Sequence, residues 1–143
     1  MASGDRWREN WRTVAPPGAV YIDLGRAREP SWRALGRDVE RGTHVVVSAS
    51  APRAARRCRR FAAAAGIELE REFLAYPSAQ APAYLVEDVR VAVAQFAERC
   101  LVAPPRVPFA AVVDRGVALV RLLRAWWLVR LLAPGRVVVG RRS

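Results

Sequence analysis

The side chains best suited to binding a charged ligand in this sequence are arginines. All 24 basic residues of the 143-residue chain are Arg, and five of them lie close together: Arg53, Arg56, Arg57, Arg59 and Arg60. Guanidinium groups bind phosphates and carboxylates through paired hydrogen bonds, so this arginine cluster is a candidate contact for an anion or an acidic partner. The alternative is a solvated helix face, in a chain that uses Arg throughout in place of Lys.

A second candidate is an acid at the end of a short apolar run. Asp23 and Gly25 close the segment Ala19–Leu24, which has the composition of a buried strand. Sheets of α/β proteins place ligand-binding groups at the carboxyl ends of their strands. Asp23 is therefore a candidate ligand-binding residue, and a turn or helix-cap role is the alternative.

The third candidate is the most apolar stretch, residues 117–133, with Arg121, Arg124, Trp126 and Trp127. Its arginines argue against a helix that crosses a bilayer. Trp and Arg together suit a membrane surface or the surface of a partner subunit. The contacts expected are therefore an anionic membrane surface, a protein partner or a second copy of the chain, and the alternative is a core helix.

Other classes of site are not expected. Without Lys the chain has neither a phosphate-binding lysine nor a Schiff-base lysine. One His and two widely spaced Cys do not make a metal site, so no metal is predicted. The arginine cluster is not interleaved with exposed aromatics, so nucleic acid is not an expected partner. Reduced cysteines and the absence of a secretory leader pattern predict a cytoplasmic protein, with a peripheral membrane location as the alternative. The sequence identifies no catalytic residue.

Strands and helices alternate along the chain. Strands are predicted at 19–24, 43–49, 67–76 and 136–140, and helices at 32–40 (opened by Pro30 and Ser31), 52–65, around 89–100, and 109–132 with a break near Gly116. Ser50 is the predicted cap of the second helix, Gly66 its stop, and Pro104-Pro105 the stop of the third. In the strand at 67–76, Ile67, Leu69 and Phe73 are predicted to share one face.

This alternation predicts an α/β fold. We expect a small, mainly parallel sheet with an antiparallel terminal strand, flanking helices and a helical insertion before the last strand. The predicted organisation is an N-terminal arm, residues 1–18, followed by a single domain, 19–143, whose helical insertion covers 77–135.

The order of elements resembles the distal half of a class I S-adenosylmethionine-dependent methyltransferase, a Rossmann-like fold. In that family a strand–helix–strand–helix run is followed by two last strands paired antiparallel. The stretch from Arg60 to Arg71, RFAAAAGIELER, is similar to the helix, glycine and strand that precede the family's final hairpin, and the resemblance covers residues 19–76 and 136–142. The family binds its cofactor at a glycine-rich turn. Here Asp23-Leu24-Gly25-Arg26-Ala27 keeps the acid and one glycine, and Ala27 stands in place of the second glycine.

Three functions remain open. The first is a methyltransferase-like domain that lacks a complete cofactor-binding loop and acts as an accessory or binding module without a cofactor. The second is a small active methyltransferase that binds S-adenosylmethionine at Asp23 and Gly25. The third is a basic peripheral membrane or polyanion-binding protein.

Overall fold

The computed structural model describes residues 6–25, 32, 34, 36–101 and 110–143. The predictions that concern Ala27, the helix start at Pro30 and Ser31, and the stop at Pro104-Pro105 lie outside the described residues. The chain divides into two compact units. The sheet unit comprises residues 1–85 and 133–143, and the helical unit comprises residues 86–132.

A five-stranded sheet contains β1 (Val20–Asp23), β2 (His44–Ser50), β3 (Ile67–Tyr76), β4 (Tyr84–Glu87) and β5 (Gly135–Arg142). The strands are ordered β1-β2-β5-β3-β4. β1 runs parallel to β2, whereas β5 is antiparallel to both of its neighbours, β2 and β3. The protein is thus a mixed α/β fold.

The prediction of a mainly parallel sheet is wrong. The last strand does not add to an edge but lies between β2 and β3, two strands that run in the same direction. Its insertion replaces one parallel pairing by two antiparallel pairings. A strand that returns after a long connection can take an interior position, and the strand pattern does not record which position it takes.

The sheet is covered on both faces. Val45, Val47 and Ala49 of β2 belong to one apolar cluster, and Val46, at the alternate position, belongs to a second cluster on the opposite face. This explains why the β2 sequence is apolar without alternation. The first cluster packs beneath the helix α1, and the second packs beneath the N-terminal arm, where a 3-10 helix spans Arg6–Thr13.

The strand β3 has the predicted bounds, but its faces differ from the prediction. A register irregularity between Leu69 and Arg71 inserts an extra residue opposite β5. Since side chains alternate with a period of two, one extra residue exchanges the two faces. Ile67 and Leu69 pack in the cluster beneath α1, and Phe73 packs in the cluster on the other face.

The helix α1 spans Ala54–Ala65 and ends, as predicted, at Gly66, which has a left-handed backbone (φ 65°). Its predicted start is wrong, because Arg53 and not Ser50 occupies the N-cap position, with φ 62° and no side-chain cap. The Ser50 hydroxyl instead bonds to the side chain of Gln80. Before β2, the backbone is helical at Trp32, Ala34, Gly36 and Arg37, within the predicted 32–40 helix.

The helical unit contains α2 (Arg90–Arg99), α3 (Ala110–Leu122) and α4 (Trp126–Leu131). The predicted long helix breaks between α3 and α4 and not at Gly116, which continues the helix. Arg124 takes a left-handed backbone (φ 50°), and the Ala125 N–H bonds to the Val120 carbonyl, closing the end of α3.

In α2 the predicted apolar stripe is correct only at its centre. Val93 and Phe96 are buried, whereas Val89 and Cys100 are exposed at the two caps. The strand β4, which ends just before α2, was not predicted. It is a four-residue strand at the edge of the sheet.

Candidate functional site

The candidate site lies where β1 ends. Parallel pairing of β1 with β2 brings their carboxyl ends to the same edge of the sheet, and places Asp23 opposite Ser48. Tyr21 and Asp23, two residues apart in the strand, share one face of β1. We call Tyr21, Asp23, Gly25 and Ser48 the strand-end cluster.

Hydrogen bonds link the members of the strand-end cluster to one another. The Asp23 Oδ1 atom accepts hydrogen bonds from the Gly25 N–H at 2.8 Å and from the Ser48 hydroxyl at 3.1 Å. The Tyr21 hydroxyl lies 2.7 Å from the Ser48 Oγ. Because Ser48 donates to Asp23, Tyr21 donates to Ser48. The three side chains therefore form one chain of hydrogen bonds, from Tyr21 to Ser48 to Asp23.

Arg57 closes the turn from the opposite face of the sheet. Its guanidinium donates to the Gly25 carbonyl at 2.8 Å and to the Leu24 carbonyl at 3.3 Å. The Leu24 N–H donates to the Ser48 carbonyl at 2.8 Å. Gly25 adopts φ 39°, in the left-handed region that glycine occupies without strain. The backbone of the turn is thus bonded on both sides by the chain itself.

Two titratable groups near this turn, the Tyr21 hydroxyl and the Cys58 thiol, have pKa values raised by burial. Burial raises the pKa of the Tyr21 hydroxyl, and the hydrogen bond with Ser48 opposes that shift. Burial also raises the pKa of the Cys58 thiol to about 12. A thiol that keeps its proton at neutral pH is a poor nucleophile. Tyr21 and Cys58 are consequently suited to packing and hydrogen bonding at neutral pH, and not to acid–base or nucleophilic chemistry.

The indole of Trp11 in the N-terminal arm contacts one member of this cluster, Tyr21. Its ring stacks on Tyr21 with centroids 4.6 Å apart and planes inclined by 14°. Tyr21, Ser48 and Trp11 were not among the residues that the sequence singled out. The sequence could have singled out Ser48, because it is a polar residue within an otherwise apolar stretch of β2.

The structure gives the five arginines of the predicted cluster different surroundings. Arg57 bonds the strand-end turn, and Arg59 pairs with both carboxylate oxygens of Glu72, at 2.8 and 2.9 Å. Arg53, Arg56 and Arg60 are exposed. The Glu72 partner could not be read from the sequence, because only the irregularity in β3 turns this side chain toward α1.

The predicted membrane or partner residues also separate. Arg121 donates to the carbonyls of Ala97 at 2.7 Å and Leu101 at 2.9 Å, so it holds the helical unit together. Trp126 is half-buried, whereas Arg124 is exposed and the Trp127 side chain is 62% exposed. Arg130 of α4 pairs with Asp88.

Within the described residues, no group of His, Cys, Asp and Glu side chains is placed to hold a metal ion. Across the same residues, the helices are too short or too polar to span a bilayer. Comparison with known proteins adds no assignment: no protein-family model, no curated protein and no solved structure matches the chain.

Proposed function

We propose that this protein is a binding module with a methyltransferase-like α/β sheet that does not catalyse methyl transfer. The observation that carries the proposal is the internal bonding of the turn after β1. The Gly25 N–H, the Gly25 carbonyl and one oxygen of Asp23 are all engaged by neighbouring groups of the chain. These are the groups that a cofactor-binding turn would present to its ligand.

The order and pairing of the elements support the methyltransferase-like part of the proposal. β1, β2, α1 and β3 follow one another along the chain, the backbone is helical at Trp32, Ala34, Gly36 and Arg37 between β1 and β2, and β3 pairs antiparallel with the last strand, β5. The resemblance implied this pairing of the two final strands. The helical unit falls between them in the chain.

The turn does not fit S-adenosylmethionine as it stands. A cofactor held there needs close approach of the backbone, for which the related turns use several glycines. This chain has Gly25 and then Ala27. Displacing Arg57 from the Leu24 and Gly25 carbonyls would also leave two acceptors to be bonded again, at a cost of about 1–3 kcal/mol each where they are buried.

The alternative of a small active methyltransferase rests on Asp23, whose Oδ2 atom accepts no hydrogen bond from the described residues. Isothermal titration calorimetry with S-adenosylmethionine and S-adenosylhomocysteine separates the two. The proposal predicts no saturable heat with either compound, for the wild type and for Ala27→Gly, which restores the second glycine.

Two variants decide the meaning of a positive result. If the wild type binds and Asp23→Asn abolishes binding while Arg56→Ala does not, the chain is a cofactor-binding protein and the proposal is wrong. Arg56 serves as the matched control because it is exposed on α1, one residue before the arginine that bonds the turn. Thermal unfolding of each variant establishes that the comparison is made between folded proteins.

A further inference from the structure

We infer that the hairpin formed by α3 and α4 binds the surface of an anionic lipid bilayer. This inference does not depend on the methyltransferase resemblance, because it concerns residues 110–132 of the helical unit and makes no use of the strand-end cluster. It rests on two observations of that hairpin, one on its apolar side chains and one on its charge.

The outer face of α3 is apolar. Val112, Leu119 and Leu122 follow one another at helical spacing, and their side chains are 64%, 54% and 80% exposed. Arg115 lies on the same face. The opposite face includes the half-buried Arg121, whose guanidinium bonds carbonyls at the end of α2. The stripe of Val112, Leu119 and Leu122 therefore points away from α2.

The stripe continues through the end of α3 into α4. Leu123, Trp127 and Leu131 are 65%, 62% and 69% exposed, and Leu132 is 71% exposed. On the other side of α4, Val129 is buried. Exposed apolar residues in such numbers on consecutive helices mark a binding surface.

The charge of the hairpin indicates what covers that surface. Residues 110–132 contain four arginines and one acidic residue, Asp114. The Arg115 and Arg124 side chains are exposed. A second copy of the chain would bring like charges together at this face, which disfavours self-association. An anionic bilayer complements both properties, since lipid headgroups attract arginines and the acyl boundary accepts protruding Leu and Trp side chains.

Flotation with lipid vesicles tests this inference on the full chain. The wild type is expected to float with vesicles of phosphatidylcholine and phosphatidylglycerol at low salt, to float much less at high salt, and to remain unbound with phosphatidylcholine alone. Two double variants separate the contributions. Leu122→Ser with Trp127→Ser removes apolar surface at constant charge, and Arg115→Gln with Arg124→Gln removes charge at constant apolar surface.

Each double variant is expected to weaken partition onto anionic vesicles by about tenfold or more. Matched controls take the same changes at exposed sites outside the hairpin, Val91→Ser on α2 and Arg41→Gln in the sheet unit, and both should bind as the wild type does. Brominated lipid should quench the fluorescence of Trp127, measured as the difference between the wild type and Trp127→Phe.

Three results would overturn the inference. They are no binding of the folded wild type to anionic vesicles, binding that neither double variant weakens, and sedimentation showing an oligomer that the Leu122 and Trp127 changes dissociate. The last result would assign the stripe to a second copy of the chain. Circular dichroism of every variant establishes that a loss of binding is not a loss of folding.

Discussion

The two units of this chain treat their large apolar side chains in opposite ways. In the sheet unit, the valines of β2 and β5 and the Phe61 side chain are excluded from solvent. Of the described residues, two large apolar side chains are exposed in the sheet unit and ten in the helical unit. The sheet unit thus buries nearly all of its large apolar side chains, whereas the helical unit leaves a stripe of them exposed.

In both units an arginine side chain donates hydrogen bonds to backbone carbonyls. Arg57 bonds carbonyls of the turn after β1, and Arg121 bonds carbonyls at the end of α2. In a chain without Lys, the guanidinium group supplies several donors to backbone groups that secondary structure leaves unpaired. What distinguishes the units is the exposure of their large apolar side chains.

The largest expected loss of stability comes from truncating a buried aromatic side chain in the sheet unit. Phe61 is fully buried and meets Trp32 edge-to-face, with ring centroids 6.2 Å apart. Phe61→Ala should lower the free energy of unfolding by about 3–5 kcal/mol, measured by urea unfolding. Leu122→Ala, at an exposed position of the stripe, should change it by less than about 0.5 kcal/mol. A large cost at Leu122 would mean that the stripe is packed in the free protein and that the distinction fails.

A Gly→Ala substitution should lower the free energy of unfolding in the sheet unit and raise it in the helical unit. A Cβ atom at Gly140 of β5 would lie 2.4 Å from the Glu68 carbonyl oxygen, whereas one at Gly116 of α3 would meet nothing within 4 Å. Gly140→Ala should destabilise the protein by about 1–3 kcal/mol. Gly116→Ala should stabilise the helix by about 0.5–1 kcal/mol, because alanine loses less entropy on folding. Differential scanning calorimetry measures the stability of both variants. Equal changes in stability would contradict the difference in packing between the two units.

Alkaline pH should weaken the sheet unit through a buried thiol. The folded chain holds the Cys58 proton up to a pKa of about 12, and the unfolded thiol releases it above the ordinary value of 9.0. Stability is therefore lost as pH rises through this window, by about 1.4 kcal/mol per pH unit from this one group. Cys58→Ala should remove that part of the slope in urea unfolding at a series of pH values. An unchanged slope would show that the thiol is not buried as described.

The smallest expected change in the free energy of unfolding comes from a substitution in the arginine cluster. Arg59 forms a two-point ion pair with Glu72, and Arg59→Ala should lower the free energy of unfolding by about 0.5 kcal/mol. Arg56→Ala, on the same helix, should leave it unchanged. If both substitutions lower the free energy of unfolding equally, the ion pair with Glu72 does not stabilise the protein.

The sequence predicted elements well where a local pattern decides them. β3 has its predicted bounds, and Gly66 ends α1 because a left-handed backbone there favours glycine. The prediction failed where distant contacts decide. Only the tertiary fold places β5 between β2 and β3, and only the irregularity after Leu69 turns Glu72 toward Arg59.

The candidate sites show the same limit. Asp23 and Gly25 do lie at a strand end, as the apolar run predicted, but their bonding to Ser48 and Arg57 depends on contacts across 25 and 32 positions of the chain. Composition marked residues 117–133 as unusual. It did not reveal that Arg121 is used internally while Leu122 and Trp127 are left exposed.

Hydrogen–deuterium exchange with two additives tests the distinction between the units most directly. Anionic vesicles are predicted to slow amide exchange in residues 110–132, and S-adenosylmethionine is predicted to leave the exchange of residues 20–25 and 44–50 unchanged. The opposite pattern would contradict the account. Slowed exchange at the strand-end cluster with S-adenosylmethionine, and none in the hairpin with vesicles, would identify a cofactor-binding protein whose helical unit does not meet a membrane.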